Sequence, residues 1–144
     1  MKWYLVTGLT LSLFSCDADD ARNIPSVVLN TLKEKFPNAS SVEWDKEGSF
    51  YEAEFDGNTG EYTVEIDSLG QMKRVKIDIK DSLLPSTVRN SLDTSGKKIK
   101  ISDVEILQLS GLSYYQVKYR IDGKKQAMVL DSTGTIRNEI KYWD

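Results

Sequence analysis

Histidine is absent from this 144-residue sequence, and cysteine occurs once. The first absence removes histidine-based catalytic triads, imidazole zinc ligands and the usual general base at neutral pH. The second removes an internal disulfide and any Cys-x-x-Cys site. A basic excess is also missing. Lys and Arg number 19 against 22 Asp and Glu, for a net charge of −3 and a pI of about 5.1. A nucleic-acid partner needs a basic footprint, so none is expected. What is present is ordinary globular usage, 40% hydrophobic and 28% charged, which fits one domain or two small repeats.

The lone cysteine, Cys16, lies in LFSCDADD (13–20). Met1-Lys2 gives a positive start, and Trp3 to Phe14 is then apolar or small and uncharged. That run suits an export signal and is shorter than the roughly 20 residues of a membrane-spanning helix. Leu13-Phe14-Ser15-Cys16 resembles a bacterial lipobox, with Phe14 bulkier than the residue usual at that position. The expectation is a signal peptide over 1–15, lipidation at Cys16 and an acidic tether over 16–23. An exported free thiol is otherwise a liability. Each acyl chain adds roughly 0.8 kcal/mol per buried CH₂, so two or three anchor a protein stably. The expected location is the bacterial envelope, at the periplasm-facing outer membrane or the cell surface. Asp17, Asp19 and Asp20 suit either a flexible tether or a surface-sorting signal.

The remainder repeats itself. IPSVVLNTL (24–32) matches LPSTVRNSL (84–92), and YEAEF (51–55) matches YQVKY (115–119). VEW (42–44) matches VEI (104–106), and IDSLGQM (66–72) matches LDSTGTI (130–136). The blocks keep their order while the offset drifts from 60 to 64, as loops of unequal length would produce. Two units are expected, 24–80 and 81–144.

Each unit opens with a helix. Pro25 and Pro85 suit the first helical position, where no N–H is needed. Val28, Leu29, Leu32 and Phe36 share one face, and Pro37 ends the helix. Leu84, Val88 and Leu92 form the second stripe, and Gly96 stops it. Period-two alternation then marks about four strands per unit. The apolar positions are Val42/Trp44, Tyr51/Ala53/Phe55, Tyr62/Val64/Ile66 and Val75/Ile77/Ile79. In the second unit they are Val104/Ile106, Tyr115/Val117/Tyr119/Ile121, Met128/Leu130 and Ile136/Ile140. Asp67-Ser68-Leu69-Gly70 and Asp131-Ser132-Thr133-Gly134 read as type I turns with a bulge, and Gly57-Asn58 and Asp122-Gly123 mark other hairpins. One carboxylate per turn does not make a calcium loop. The fold class is α+β, an antiparallel sheet with helices on one face and Trp44, Tyr51, Phe55, Tyr62, Tyr115 and Tyr119 in the core.

FPNASSVEW, YEAEF and IDSLG in this order resemble the PepSY-like family of bacterial envelope lipoproteins, itself described as similar to beta-lactamase inhibitory proteins. LPSTVRNSL, YYQVKY and LDSTG supply a second copy, so the resemblance spans about residues 24–142. It implies helices packed on an antiparallel sheet, and a protein that binds or inhibits another in the envelope. It brings no catalytic signature and no functional residues to carry over.

The polar positions between the core residues should form the uncovered face. Glu43, Asp45, Glu52, Glu54, Thr63 and Glu65 make one half acidic, with Phe50 among them. Gln116, Lys118, Arg120 and Lys125 make the other basic, with Tyr114 among them. Such a face is either simply solvated, with weak cross-strand pairs, or a polarised docking surface. On the second reading the partner-binding residues are Glu52, Glu54, Phe50, Tyr114, Lys118 and Arg120, and Tyr142-Trp143 either adds an apolar contact or packs on the sheet. Glu52 and Glu54, about 7 Å apart by strand rise, could pair for hydrolysis. An exposed acidic face does not raise a carboxyl pKa as burial does, so no enzyme is expected. The function expected is non-enzymatic: a lipid-anchored envelope protein that grips a protein partner through this face, with no cofactor or metal. The alternative is a carrier of a small molecule or ion in a cleft between the units.

Overall fold

A computed structural model describes residues 23–92 and 98–144. The signal peptide, Cys16, nearly all of the acidic tether and Gly96 lie outside the described residues.

Helix α1 (Ser26–Lys35) leads into strands β1 (Ser40–Glu47), β2 (Phe50–Asp56), β3 (Glu61–Asp67) and β4 (Met72–Asp78). A single 3-10 turn (Asp81–Leu83) precedes helix α2 (Ser86–Leu92), followed by β5 (Ile99–Leu109), β6 (Leu112–Ile121) and β7 (Lys124–Asp131). The strands form one antiparallel sheet in chain order, so the two halves share a continuous ladder through β4 and β5. Pro25 is the N-cap of α1, one position before the expected one, and its carbonyl accepts from Val28 and Leu29.

Both helices lie on the same side of the sheet. Beneath α1, Val28 and Leu32 pack with Ala53, Phe55, Val64, Ile66 and Val75. Beneath α2, Leu84, Val88 and Leu92 pack with Val104, Val117, Tyr119 and Leu130. The registers Ala53↔Val64↔Val75 and Val104↔Val117↔Met128 line these residues up across neighbouring strands, as period two requires. Each such aliphatic side chain contributes about 1.5–3 kcal/mol by burial. Phe36, Phe55 and Tyr62 form an aromatic triad with ring centroids 5.0–5.6 Å apart. Trp44, Tyr51 and Tyr115 are only partly buried and pack at the margins of these clusters. Leu29, expected on the buried stripe, is 39% exposed, because Val28 and Leu32 centre the contact with Phe36 beside them.

The β3–β4 turn fastens α1 to the sheet. Gly70 N–H donates to Asp67 O at 2.9 Å, and one Asp67 carboxylate oxygen accepts from Leu69 N and Gln71 N. Thr31 of α1 donates its hydroxyl to Gly70 O at 2.9 Å. The turn bonds recur in the second half, with the helix tied to the turn through a different pair of positions. Gly134 N–H donates to Asp131 O, the Asp131 carboxylate accepts from Thr133 N and Thr135 N, and Thr87 of α2 donates to Ser132 O at 2.8 Å.

These bonds hold both turn carboxyls below the usual aspartate range. For Asp131 the Thr133 hydroxyl is the main cause, joined by the Thr135 N–H and Arg137; for Asp67 it is Lys73, then the Gln71 N–H. A depressed folded pKa adds stability that is complete above the unfolded value of 3.8 and is lost as pH falls below it. Urea melts between pH 6 and 2 should therefore show stability falling below about pH 4. Asp131→Asn should flatten that decline, and an unchanged slope would deny the turn this role.

One expected element is missing. Among the described residues the second half has three strands where about four were predicted. Around Ile136 there is a single bridge to Leu130, and Arg137 N–H bonds Val129 O. Residues 137–144 then leave the β7 edge, and Tyr142 and Trp143 reach the side that no helix covers.

Candidate docking face

The helix-free side is built from the residues that alternate with the core. Across it run two rows fixed by strand register. The first is Asp45↔Glu52↔Glu65↔Arg74↔Leu109↔Leu112, and the second is Glu43↔Glu54↔Thr63↔Lys76↔Leu107↔Tyr114. A third, shorter row is Asp78↔Glu105↔Gln116↔Val129.

These rows redraw the expected division of charge. The acidic patch occupies β1–β3, but its neighbour in the same half, β4, is basic through Arg74 and Lys76. Arg74 chelates the buried Glu65 carboxylate through Nε at 3.0 Å and Nη2 at 2.5 Å. Beyond Glu65 the acids lack such a partner in register. Asp45 faces Glu52, and Glu43 faces Glu54. Like charges directly opposite destabilise a sheet. Glu61 shows the same crowding: its carboxyl is pushed up chiefly by a hydrogen bond shared with Glu54.

The β4–β6 half is not open. Trp143 is 6% exposed and lies on this side, away from both helix-covered clusters. The Gln116 side-chain amide reads its backbone at both ends, accepting from Trp143 N at 2.8 Å and donating to Trp143 O at 3.0 Å. Two cations lie against the indole: the Arg74 guanidinium is 3.9 Å and the Lys76 ammonium 5.3 Å from its ring centroid. Tyr142 donates its hydroxyl to Glu105 at 2.9 Å, and Lys118 lies 5.2 Å over its ring while pairing with Asp144 at 3.0 Å. Burial, then the bond to Glu105, push the Tyr142 phenol up, so it stays a proton donor. Glu105 is itself buried, and also accepts from Gln116 Nε2 at 2.7 Å. Among the described residues every buried side-chain nitrogen and oxygen has a hydrogen-bond partner.

The predicted partner-binding residues therefore fall into separate groups. Glu52 is half-buried at the margin of the Trp143 site; burial raises its pKa, and a hydrogen bond to the Trp143 side chain and the charges of Lys76 and Arg74 oppose that. Glu54 is exposed in the acidic patch, and Phe50 is half-buried at the β1–β2 end. Tyr114 is half-buried beside Leu107. Lys118, still partly exposed, lies over the Tyr142 ring and pairs with Asp144. Arg120 stands apart between Lys100 and Lys125 at the far end of β6. Arg74, Lys76, Glu105 and Gln116, which shape the centre of this face, were not among the predicted site residues apart from Gln116 as a face position. A signal for them exists: β5 carries Val104 and Ile106 on one side and Leu107 and Leu109 on the other. A strand apolar on both sides is covered on both sides.

Glu52 and Glu54 meet different surroundings: Glu52 faces the indole, and Glu54 shares a hydrogen bond with Glu61 in the exposed patch. Among the described residues no group of three or more Cys, Asp or Glu side chains is placed to hold a metal ion. At the junction of the halves, Met72, Val75, Gln108 and Leu112 line a groove of about 450 Å³ that opens to solvent.

No family model matches the sequence, and no curated protein matches it. Solved structures do. A DUF2874 family protein from Bacteroides uniformis superposes with a TM-score of 0.70 at 25% identity, over 78% of this chain and 85% of that one. A BLIP-like protein from Bacteroides fragilis gives 0.71 at 22%, over 83% and 89%. A protein assigned provisionally to the periplasm of Bacteroides eggerthii gives 0.70 at 19%, over 78% and 84%. By fold, the chain is similar to BLIP-like and DUF2874 proteins of Bacteroides.

Proposed function

We infer that this chain is a non-enzymatic envelope protein that binds a protein partner through the helix-free face of its sheet. One observation carries the reading: the exposed β1–β2 half of that face sets Glu43 against Glu54 and Asp45 against Glu52. Such rows cost the free protein stability, and a cationic partner surface relieves that cost on docking. The envelope location is supported by the periplasmic assignment of one structural neighbour and by the lipobox-like LFSC stretch. Lipidation at Cys16, membership in the PepSY-like family and the tandem origin of the two halves are parts of the same proposal. The BLIP-like neighbour supports binding over catalysis and leaves inhibition as one form that binding takes.

Reversal of Glu43 and Glu54 to Lys tests it. Both side chains are exposed, so the fold should persist. Glu52 is a poorer choice because it also contacts Trp143. Chemical crosslinking in intact cells should yield a specific adduct with the parent protein and lose it with the double reversal. An adduct of equal yield from a folded double variant would remove the acidic patch from the docking surface.

A further inference from the structure

The contacts around residues 142–144 have the form of peptide recognition. Gln116 binds only main-chain atoms of Trp143, which any extended segment presents. Side-chain selection comes from the surroundings. Arg74 and Lys76 select a large aromatic ring at the centre, Glu105 selects a phenolic donor before it, and Lys118 selects an acid after it. The segment is held at two separated places. Arg137 is tied to Asp131 at 2.5 Å and to Val129 O, and residues 142–144 are tied to the slot. Between them Asn138, Glu139 and Lys141 are exposed.

We propose that this slot is a binding site for an extended segment of a partner protein carrying a Tyr-Trp-Asp-like triplet, and that residues 142–144 are its exchangeable resident. The inference rests on the docking reading of this face and specifies its β4–β6 half. A tethered resident competes at a high effective concentration, so a free peptide gains entry only when the resident leaves or is weakened. A partner whose acidic-patch contacts lie beside the slot supplies that advantage by linking two binding events.

The test uses the full chain with Tyr142→Ala and Trp143→Ala, which empties the slot. The probe is a fluorescein-labelled synthetic peptide of residues 137–144, followed by anisotropy. The emptied variant should bind the peptide at least tenfold more tightly than the parent protein does. Trp→Ala in the peptide should abolish binding, and so should Gln116→Ala in the emptied variant. Absence of binding to an emptied variant that melts cooperatively overturns the proposal and leaves the segment a fixed strap. Hydrogen exchange on the parent protein guards against a variant that fails to fold. An exchangeable resident requires the Trp143 amide to exchange at least tenfold faster than those of Val64 and Val117. Equal protection at all three overturns the proposal by itself. A peptide that binds while the Glu43/Glu54 reversal leaves crosslinking intact would retain the slot and reject the acidic patch.

Discussion

Replacing Gln116 by alanine should destabilise the protein by about 3–5 kcal/mol, although the side chain lies on the face without helices. Gln116 is fully buried and spends its amide on Trp143 N, Trp143 O and Glu105. Its removal leaves the Trp143 backbone donor and acceptor without their partners, while Glu105 keeps Tyr142 and Lys76. Each buried group so stranded costs about 1–3 kcal/mol. Water entering the vacated space recovers part of that, which sets the lower bound. Urea denaturation should show the midpoint shift, and tryptophan emission should move to the red as Trp143 is released. A loss near that of a surface substitution, within about 0.5 kcal/mol, would mean that the segment contributes nothing to the fold.

Gly134→Ala should cost about 2–4 kcal/mol through a different cause. Gly134 has φ +87, where an L side chain is strained by about 1–2 kcal/mol. A Cβ there would also sit 2.6 Å from Thr87 O and closer still to the Ser91 hydroxyl, so α2 must move off the sheet. Gly70 meets Val27 and Thr31 of α1 in the same way. Ser132→Ala, in the same turn but exposed, is the control and should leave the thermal midpoint nearly unchanged. Equal midpoints for Gly134→Ala and the parent protein would show that the turn is not packed against α2.

These two positions show what the sequence carries and what it hides. Gly134 was legible, because Asp-x-x-Gly at matched places in both halves specifies a turn through local hydrogen bonds. Val28, Leu32, Val88 and Leu92 were legible for a similar reason, since helical spacing declares a buried stripe. Gln116 was legible only as a face position. Its role depends on a segment 27 residues away in sequence, and no periodicity reports that contact. Ile136 and Ile140 are four apart, which suits one face of a strand, but the position between them on that face is the exposed polar Asn138, and Ile136 itself stays 44% exposed. The pair therefore buries too little to hold the segment beside β7, and its one large apolar anchor, Trp143, packs on the helix-free side of the sheet. Arg74 and Lys76 could have been placed on that side from the alternation of β4, which was read for its apolar positions alone.

The consequence is a face with two unlike parts. One is an exposed acidic patch with carboxylates set opposite one another across β1 and β2. The other is a slot already filled by the chain itself. The most direct test of the central claim is a crosslinking map of the whole surface in intact cells. A photoreactive residue is placed at Glu54 or Tyr114 on the helix-free face, and at Leu69 or Leu83 beside the helices, where both leucines are well exposed. The account predicts a single partner adduct from Glu54 and Tyr114 and none from Leu69 and Leu83. Adducts from Leu69 or Leu83, with none from Glu54 and Tyr114, would contradict it and move the docking surface to the helix side.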